Sequence, residues 1–536
     1  MKLGRERKDD LIIPLIFIVI YLLFLRNYLT SPPYIMVDTA IIGISNPGIY
    51  APEATILYYL SLLLGQNTLI KLLNFLAFVI GPISIYFIFR NEKSIIKKFI
   101  LPLIYTLNPF AFSIFKSGDG ESILLVYSLQ PIVFYLTYKL YQSKEPVKYL
   151  IYLSIVEVIG QIFFFQMFLF SFFYQLPIIL LSIKDKRYKI AFYPIIADSI
   201  GFLSEISQEI LLYILVVPGI LPSPANTQVN LGLFYYSQVI SVLLLAIGVI
   251  TLATYKNKIS AAILTSLGFL LTIYAFIIYF HGVNIPIISA LLASFTTFQT
   301  KVFLLSFGLL DLSLFFVRKY SRLVISTLFL IIIVLLPSTG FLSVNIYSFF
   351  GIKPTPIPSW YYELYDYLAN NNPYYVYANT SIMYYNSLAY YVELLPGFNG
   401  FISLNFTPFD AVKFLISISE LNYSWLKFEG KFGPFYLYYN QNYTGLVHYL
   451  NGTPVNDYTI SESQIIVNTN KTVIVSVPYS IFWTNAKPYH GFIELTGGKS
   501  YNTLVELKYI LYFISVIFFI LPFLLLIFNR YNILSF

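Results

Sequence analysis

The 536-residue chain has no cysteine, which excludes disulfides, thiol nucleophiles and cysteine-ligated zinc or iron–sulfur centres. Three histidines are too few for a histidine-rich metal site. Charged residues make up 11% of the chain, where a soluble domain carries about 25%. A fold that is water-soluble throughout is therefore excluded, and so are disorder and collagen-like repeats. What fills the chain is apolar: 58% hydrophobic and 19% aromatic, with a mean hydropathy of +0.73. Repeated long apolar runs make the bilayer the main solvent.

Few basic residues lie inside those runs. Lys and Arg gather at the N-terminus and in short loops at Arg90–Lys98, Lys139–Lys148, Lys184–Lys189, Lys256–Lys258 and Arg318–Arg322, with Arg530 near the end. These places hold 21 of the 33 Lys and Arg, and the positive-inside rule assigns them all to the cytoplasm. The net charge of +8 thus reflects membrane anchoring, and no nucleic-acid partner is expected. The run from Leu11 to Leu25 lacks a small-residue cleavage motif and is expected to be an uncleaved signal anchor.

An even number of spans must separate consecutive cytoplasmic loops, which divides runs that hydropathy alone leaves ambiguous. Tyr149–Ile183 becomes two spans joined by a tight turn near Gly160 and Gln161, being too long for one helix of ~20 residues. The expected fold is an α-helical polytopic membrane protein of about 12 spans, starting near residues 11, 68, 99, 122, 149, 167, 190, 232, 259, 302, 323 and 507. Both termini are expected in the cytoplasm of a multi-pass cell-membrane protein. Six Asn-x-Ser/Thr sequons, at Asn379, Asn405, Asn422, Asn442, Asn451 and Asn470, all fall where this parity puts the chain outside, as glycosylation requires.

That outer segment alone has soluble composition. The chain thus divides into three regions: a membrane domain over 1–344, an extracytoplasmic domain over 345–506, and the last span with its tail over 507–536. In the outer domain, Pro358–Leu368 has apolar residues at helical spacing, while Gln464–Val467 and Thr472–Val477 read as strands. A strand-rich mixed α/β domain is expected. No repeat of 20–50 residues and no inverted repeat is seen, which weighs against a secondary transporter. Nearer the N-terminus, Pro52 and Glu53 open an amphipathic run to Leu64, suited to a helix at the membrane surface.

Asp38, Asp119 and Glu121 are acids expected on one outer face. Asp-x-Glu between glycines can aim two hard oxygen ligands at Mg²⁺ or Mn²⁺, which would neutralise a substrate diphosphate. A separate carboxylate can then act as general base. Against this stands a plain polar turn, since Ser, Gly and Asp are turn formers.

These features together resemble a family. The segment Tyr105-Thr106-Leu107-Asn108-Pro109-Phe110, running into Gly118-Asp119-Gly120-Glu121 and Tyr127-Ser128-Leu129-Gln130-Pro131, is similar to the Asn-Pro stretch of arabinofuranosyltransferase-like members of the GT-C superfamily. In the outer domain, Val477-Pro478-Tyr479-Ser480-Ile481-Phe482-Trp483 is similar to a Tyr-x-x-x-Trp strand of such domains. The resemblance implies a membrane glycosyltransferase using a polyprenyl-phosphate-linked sugar and a glycan, glycolipid or protein acceptor. It makes Asp38 the catalytic base, and Asp119 and Glu121 metal or acceptor ligands. The chain lacks the Trp-Trp-Asp-Tyr-Gly string of oligosaccharyltransferases, so protein N-glycosylation is not implied.

Glu53, Lys116, Glu205, Glu209, His281 and Lys301 complete the candidate substrate-binding set. His281 and Lys301 are expected to hold a lipid diphosphate by charge-assisted hydrogen bonds, or simply to snorkel. Glu205 and Glu209 share a helical face if that stretch is helical. Glu157, Asp198 and Asp311 are expected in or near spans, where an ionisable group marks function by default. Two other readings stay open: a non-catalytic envelope glycoprotein or scaffold of GT-C-like fold, and a lipid-linked-substrate transporter or flippase using those three acids.

Overall fold

Among the described residues the apolar runs form helices, and the segment of soluble composition forms mainly sheets. The computed structural model describes residues 2–30, 52–92, 94–108, 110–111, 114–115, 120–164, 167–206, 259–279, 298–316, 357–371, 376–379, 381–382, 392, 395–396, 398–402, 412–443, 445–461, 463–479, 482–489 and 492–530. The chain divides into two units, one helical and one strand-rich, the latter taking in Pro354–Ile510.

The helical unit contains α1 (Lys2–Phe24), α2 (Pro52–Leu64), α3 (Gln66–Ile88), α4 (Ile95–Thr106), α5 (Leu125–Gln142), α6 (Pro146–Phe163), α7 (Met167–Lys184), α8 (Tyr188–Ser204), α9 (Ile259–Tyr279) and α10 (Phe298–Phe316). A π-helical turn, Gly120–Leu124, leads into α5. Pro52 opens α2 and Pro146 opens α6, where the missing N–H costs nothing. The π-turn and α5 pack on α3, and α6 packs on α5 and α8. Helix α7 lies against α5, α8 and α9.

Among the described residues, five helices are long and apolar enough to cross a membrane: Asn67–Ile88, Ser122–Gln142, Pro146–Phe163, Met167–Lys184 and Tyr509–Asn529. Of the twelve expected starts, those near 232 and 323 lie outside the described residues. The segment expected to span from 99 begins within α4, Ile95–Thr106, and its continuation past Asn108 is only partly within the described residues.

The turn expected at Gly160–Gln161 comes later, between Phe163 and Met167, where the Phe164 N–H donates to the Gly160 carbonyl at 3.1 Å. Gly160 stays helical because the returning chain presses on it: a Cβ there would lie 1.5 Å from Met167 Sδ. Its glycine serves close approach, not chain reversal.

The strand-rich unit has two sheets. Helix α11 (Ser359–Asn370) packs on the first, built from β1 (Val376–Asn379), β2 (Phe398–Ile402), β3 (Phe414–Ser417), β4 (Leu426–Phe432) and β5 (Phe435–Asn440), in the order β2-β1-β3-β5-β4. Strand β1 runs parallel to β2 and β3, whereas β5 is antiparallel to β3 and β4. Tyr361, Leu364 and Leu368 project from one face of α11 into a core with Val376, Ala378, Phe414, Ile416, Phe435 and Leu437. Their spacing of three and four is the helical repeat read from sequence.

The second sheet is antiparallel: β6 (Val447–Tyr449), β7 (Tyr458–Ile460), β8 (Gln464–Pro478), β9 (Ala486–Tyr489) and β10 (Phe492–Tyr501), ordered β6-β8-β10-β9 with β7 also on β8. The two expected strands are halves of the single strand β8. Ile465, Val467, Val473 and Val475 alternate inward with Ile493 and Leu495, the period of two expected for a half-buried sheet. In the resemblance-bearing stretch the strand ends at Pro478. Trp483 lies beyond it, buried in the same core and bridged to Asn502. Helix α12 (Thr503–Arg530) comes next, its Thr503 Oγ1 donating to the Phe482 carbonyl at 3.0 Å.

Candidate functional site

The expected outer-face site is described in part. Asp38, Lys116 and Asp119 lie outside the described residues, as do Glu209, His281 and Asn405. Glu53 is the second residue of α2, Glu121 the second of the π-helical turn, and Lys301 the fourth of α10. Glu205 ends α8, its N–H donating to the Phe202 carbonyl at 3.2 Å, and is buried. Among the described residues no three His, Asp or Glu side chains converge as a metal site would require.

The geometry around Glu121 is nonetheless specific. A Cβ on Gly120 would meet Asn74 Oδ1 at 1.8 Å and Phe115 Cδ2 at 2.9 Å, so only glycine lets the π-turn approach α3 this closely. The Asn-Pro motif upstream also has a physical role. Asn108 Oδ1 accepts the Phe110 and Ala111 N–H groups at 3.0 and 2.9 Å, and its Nδ2 donates to the Tyr105 carbonyl at 2.7 Å. Asn108 thus closes α4 and caps the helical turn that begins at Phe110 and Ala111. Downstream, Ser128 Oγ donates to the Ala77 carbonyl, tying α5 to α3.

Two buried polar clusters lie on different sides of α7. On one, Ser171 Oγ donates to Glu157 Oε2 at 2.9 Å. Gln175 Nε2 donates both to Glu157 Oε1 at 3.2 Å and to Asp198 Oδ1 at 2.7 Å. Glu157, Ser171 and Gln175 are fully buried, and Asp198 is half-buried. Sequence reading singled out both acids; it missed Ser171 and Gln175, whose four-residue spacing on an apolar helix was the available signal.

On the other side, the Tyr105 and Tyr174 hydroxyls meet at 2.9 Å, and Tyr105 and Tyr127 each donate to the other's carbonyl at 2.9 and 3.0 Å. The Tyr105 and Tyr127 rings stack at 4.3 Å. Asp311, on α10, is fully buried and lies near Tyr127 and Tyr174. Neither of its carboxylate oxygens has a hydrogen-bond partner among the described residues.

In the strand-rich unit Glu429 accepts from Lys427 Nζ and from the Tyr367 hydroxyl, both at 2.8 Å. The Lys427 bond holds the Glu429 carboxyl below the ordinary carboxylate range, while desolvation first and Glu429 second push Tyr367 up to about 12. Asn422, Asn442, Asn451 and Asn470 are exposed, and Asn379 is half-buried at the end of β1. The Asn379 and Asn451 side chains each accept the N–H two residues on, at 3.0 and 3.1 Å, forming Asx-turns.

No protein-family model, no curated protein and no solved structure matches this chain.

Proposed function

We propose that the chain is a membrane glycosyltransferase. It moves a sugar from a polyprenyl-phosphate donor to an extracytoplasmic glycan, lipid or protein acceptor, with inversion. In this reading about twelve spans hold both termini in the cytoplasm and residues 345–506 outside. Asp38 takes a proton from the acceptor hydroxyl as that oxygen attacks the anomeric carbon and the phosphate leaves. Glu53, Lys116, Glu205, Glu209, His281 and Lys301 contact donor or acceptor. The observation that carries the reading is the π-helical turn: it enters α5 with Glu121 at its second position, and close packing of Gly120 on Asn74 and Phe115 fixes it. A carboxylate at that position suits a site where a charged donor must be positioned. The donor set Asp38, Asp119 and Glu121 is all oxygen, the chemistry Mg²⁺ or Mn²⁺ prefers. A bound cation would neutralise donor phosphate.

The test is sugar transfer from a panel of polyprenyl-phosphate donors by purified full-length protein, wild type against Asp38→Asn, with folding of both verified. The variant is expected to lose at least 10²-fold in rate, the usual contribution of general base catalysis, and Glu121→Gln to lose less. Equal rates for wild type and Asp38→Asn sink the proposal. A second reading, a transporter or flippase for a lipid-linked substrate, draws on Glu157 and Asp198 meeting inside the helical unit. Substrate flux across sealed vesicles that Glu157→Gln abolishes, with no transfer chemistry in wild type, would select it.

A further inference from the structure

Glu157 and Asp198 share one hydrogen-bond donor, the Gln175 amide nitrogen, so their bonded oxygens cannot be farther apart than those two bonds laid end to end. The two carboxyl groups also meet each other. Neither is paired with Lys, Arg or His among the described residues. Of the other titratable groups on the surrounding helices, Tyr127 and Tyr174 bond to Tyr105, and Lys139 lies 5.6 Å from the Tyr135 ring centroid. Lys148, Lys184 and Lys189 stand at the ends of α6, α7 and α8. Two ionised carboxylates this close in an apolar interior repel each other and lack solvent, a combination that proteins avoid by keeping a proton on one of them.

Hydrogen-bond accounting leads to the same place. Ser171 Oγ and Gln175 Nε2 supply the donors that reach the acids. Gln175 Oε1, on a fully buried side chain, has no donor among the described residues, although buried acceptors are nearly always satisfied. The amide cannot be turned round to cure this, because its oxygen would then face both carboxyls. The donors that reach the acids make three bonds to four carboxyl oxygens, and a proton held between the acids makes a fourth. Space favours a proton over a coordinated metal ion. A Cβ on Gly201, three residues past Asp198, would lie 2.9 Å from Glu157 Cβ and 3.4 Å from Gln161 Cγ, so α8 is pressed directly onto α6.

We propose that Glu157, Gln175 and Asp198 form a proton-binding site within the helical unit, in which the two acids share one exchangeable proton at neutral pH and Gln175 Nε2 holds them together by donating to both. The site stands independently of the glycosyltransferase reading.

The test is infrared spectroscopy of the full-length protein in lipid nanodiscs at neutral pH, in an Asp311→Asn/Glu205→Gln background that removes the other buried acids among the described residues. A carboxylic-acid C=O band, shifted in D₂O, is expected, and it loses about one acid equivalent when Glu157→Gln and Asp198→Asn are added. An unchanged band on adding those two substitutions overturns the proposal. Should the fourfold variant not fold, the background variant decides alone: absence of any carboxylic-acid band there means that both carboxyls are ionised, and the proposal fails. Sugar transfer measured in parallel on the wild-type protein separates this outcome from that of the enzymatic reading, since either result can hold without the other.

Discussion

Glu429 accepts from both Lys427 and Tyr367, and the pair of bonds gives a pH dependence of definite sign. Its carboxyl is held below the ordinary value in the fold, so its contribution is complete above the unfolded value of about 4 and fades as pH falls through the lower folded value. Tyr367 is pushed up to about 12. Its contribution is complete below the unfolded value of about 10 and is lost as pH climbs toward 12. All three tryptophans, Trp360, Trp425 and Trp483, belong to this unit, so their fluorescence during thermal unfolding at stepped pH tracks it. Glu429→Gln is expected to flatten both limbs; an unaltered acid limb would remove Glu429 from the account. Gly433 offers a sharper residue test. Its φ is +55° and a Cβ would meet Trp360 Cδ2 at 2.5 Å, so Gly433→Ala is expected to destabilise the unit by about 1–3 kcal/mol by the same fluorescence. Little of this is legible in the sequence. Lys427 and Glu429 stand two residues apart on β4, but Tyr367 reaches Glu429 from a helix 62 residues away in sequence, and local spacing carries no trace of that contact.

Periodicity carried well at the level of elements, because a helix or strand with one buried face writes its period into the chain. Tyr361, Leu364 and Leu368 on α11, and the alternating residues of β8, are the clearest cases. Turns carried less well. Gly160 looks like a reversal in sequence yet sits inside α6, since glycine answers equally to a turn and to a neighbour packed at short range. Asp-x-Glu showed where an acid enters a span, but π-helical winding of the turn that holds Glu121 leaves no signature in residue types. Ser171 and Gln175 were hidden for a related reason: two polar residues in an apolar run do not shift its hydropathy. Their weight is testable through Gln175→Leu, which keeps the volume and removes the donor both acids share. Destabilisation of about 1–3 kcal/mol is expected, read as reduced resistance of the helical unit to denaturant, with Gln175→Glu worse because it adds a third acid. A neutral Gln175→Leu would show that the three side chains do not act together.

At the scale of the molecule, a chain with 11% charged residues carries helices long and apolar enough to cross a membrane. The last helix illustrates it: within Tyr509–Asn529 only 11% of the residues are buried, leaving Ile510, Phe513, Ile517 and Ile527 exposed. The full chain is therefore expected to remain in the membrane pellet after alkaline carbonate extraction, and recovery in the supernatant would contradict this. If 345–506 faces outward, the exposed Asn422, Asn442, Asn451 and Asn470 are open to glycosylation in a competent host. Enzymatic deglycosylation is then expected to increase gel mobility, an effect that Gln at all four positions should diminish. Helix α7 gives the bundle one further property. Ser171 and Gln175 grip the acids on one side while Tyr174 meets Tyr105 on another. Lipid tails give an apolar helix no preferred rotation, and Phe or Leu slides past Phe or Leu at little cost. A helix bolted at two azimuths can neither spin nor shift by a residue without breaking both sets of bonds, so α7 is the keyed shaft of the bundle, the part against which its neighbours take their angular setting.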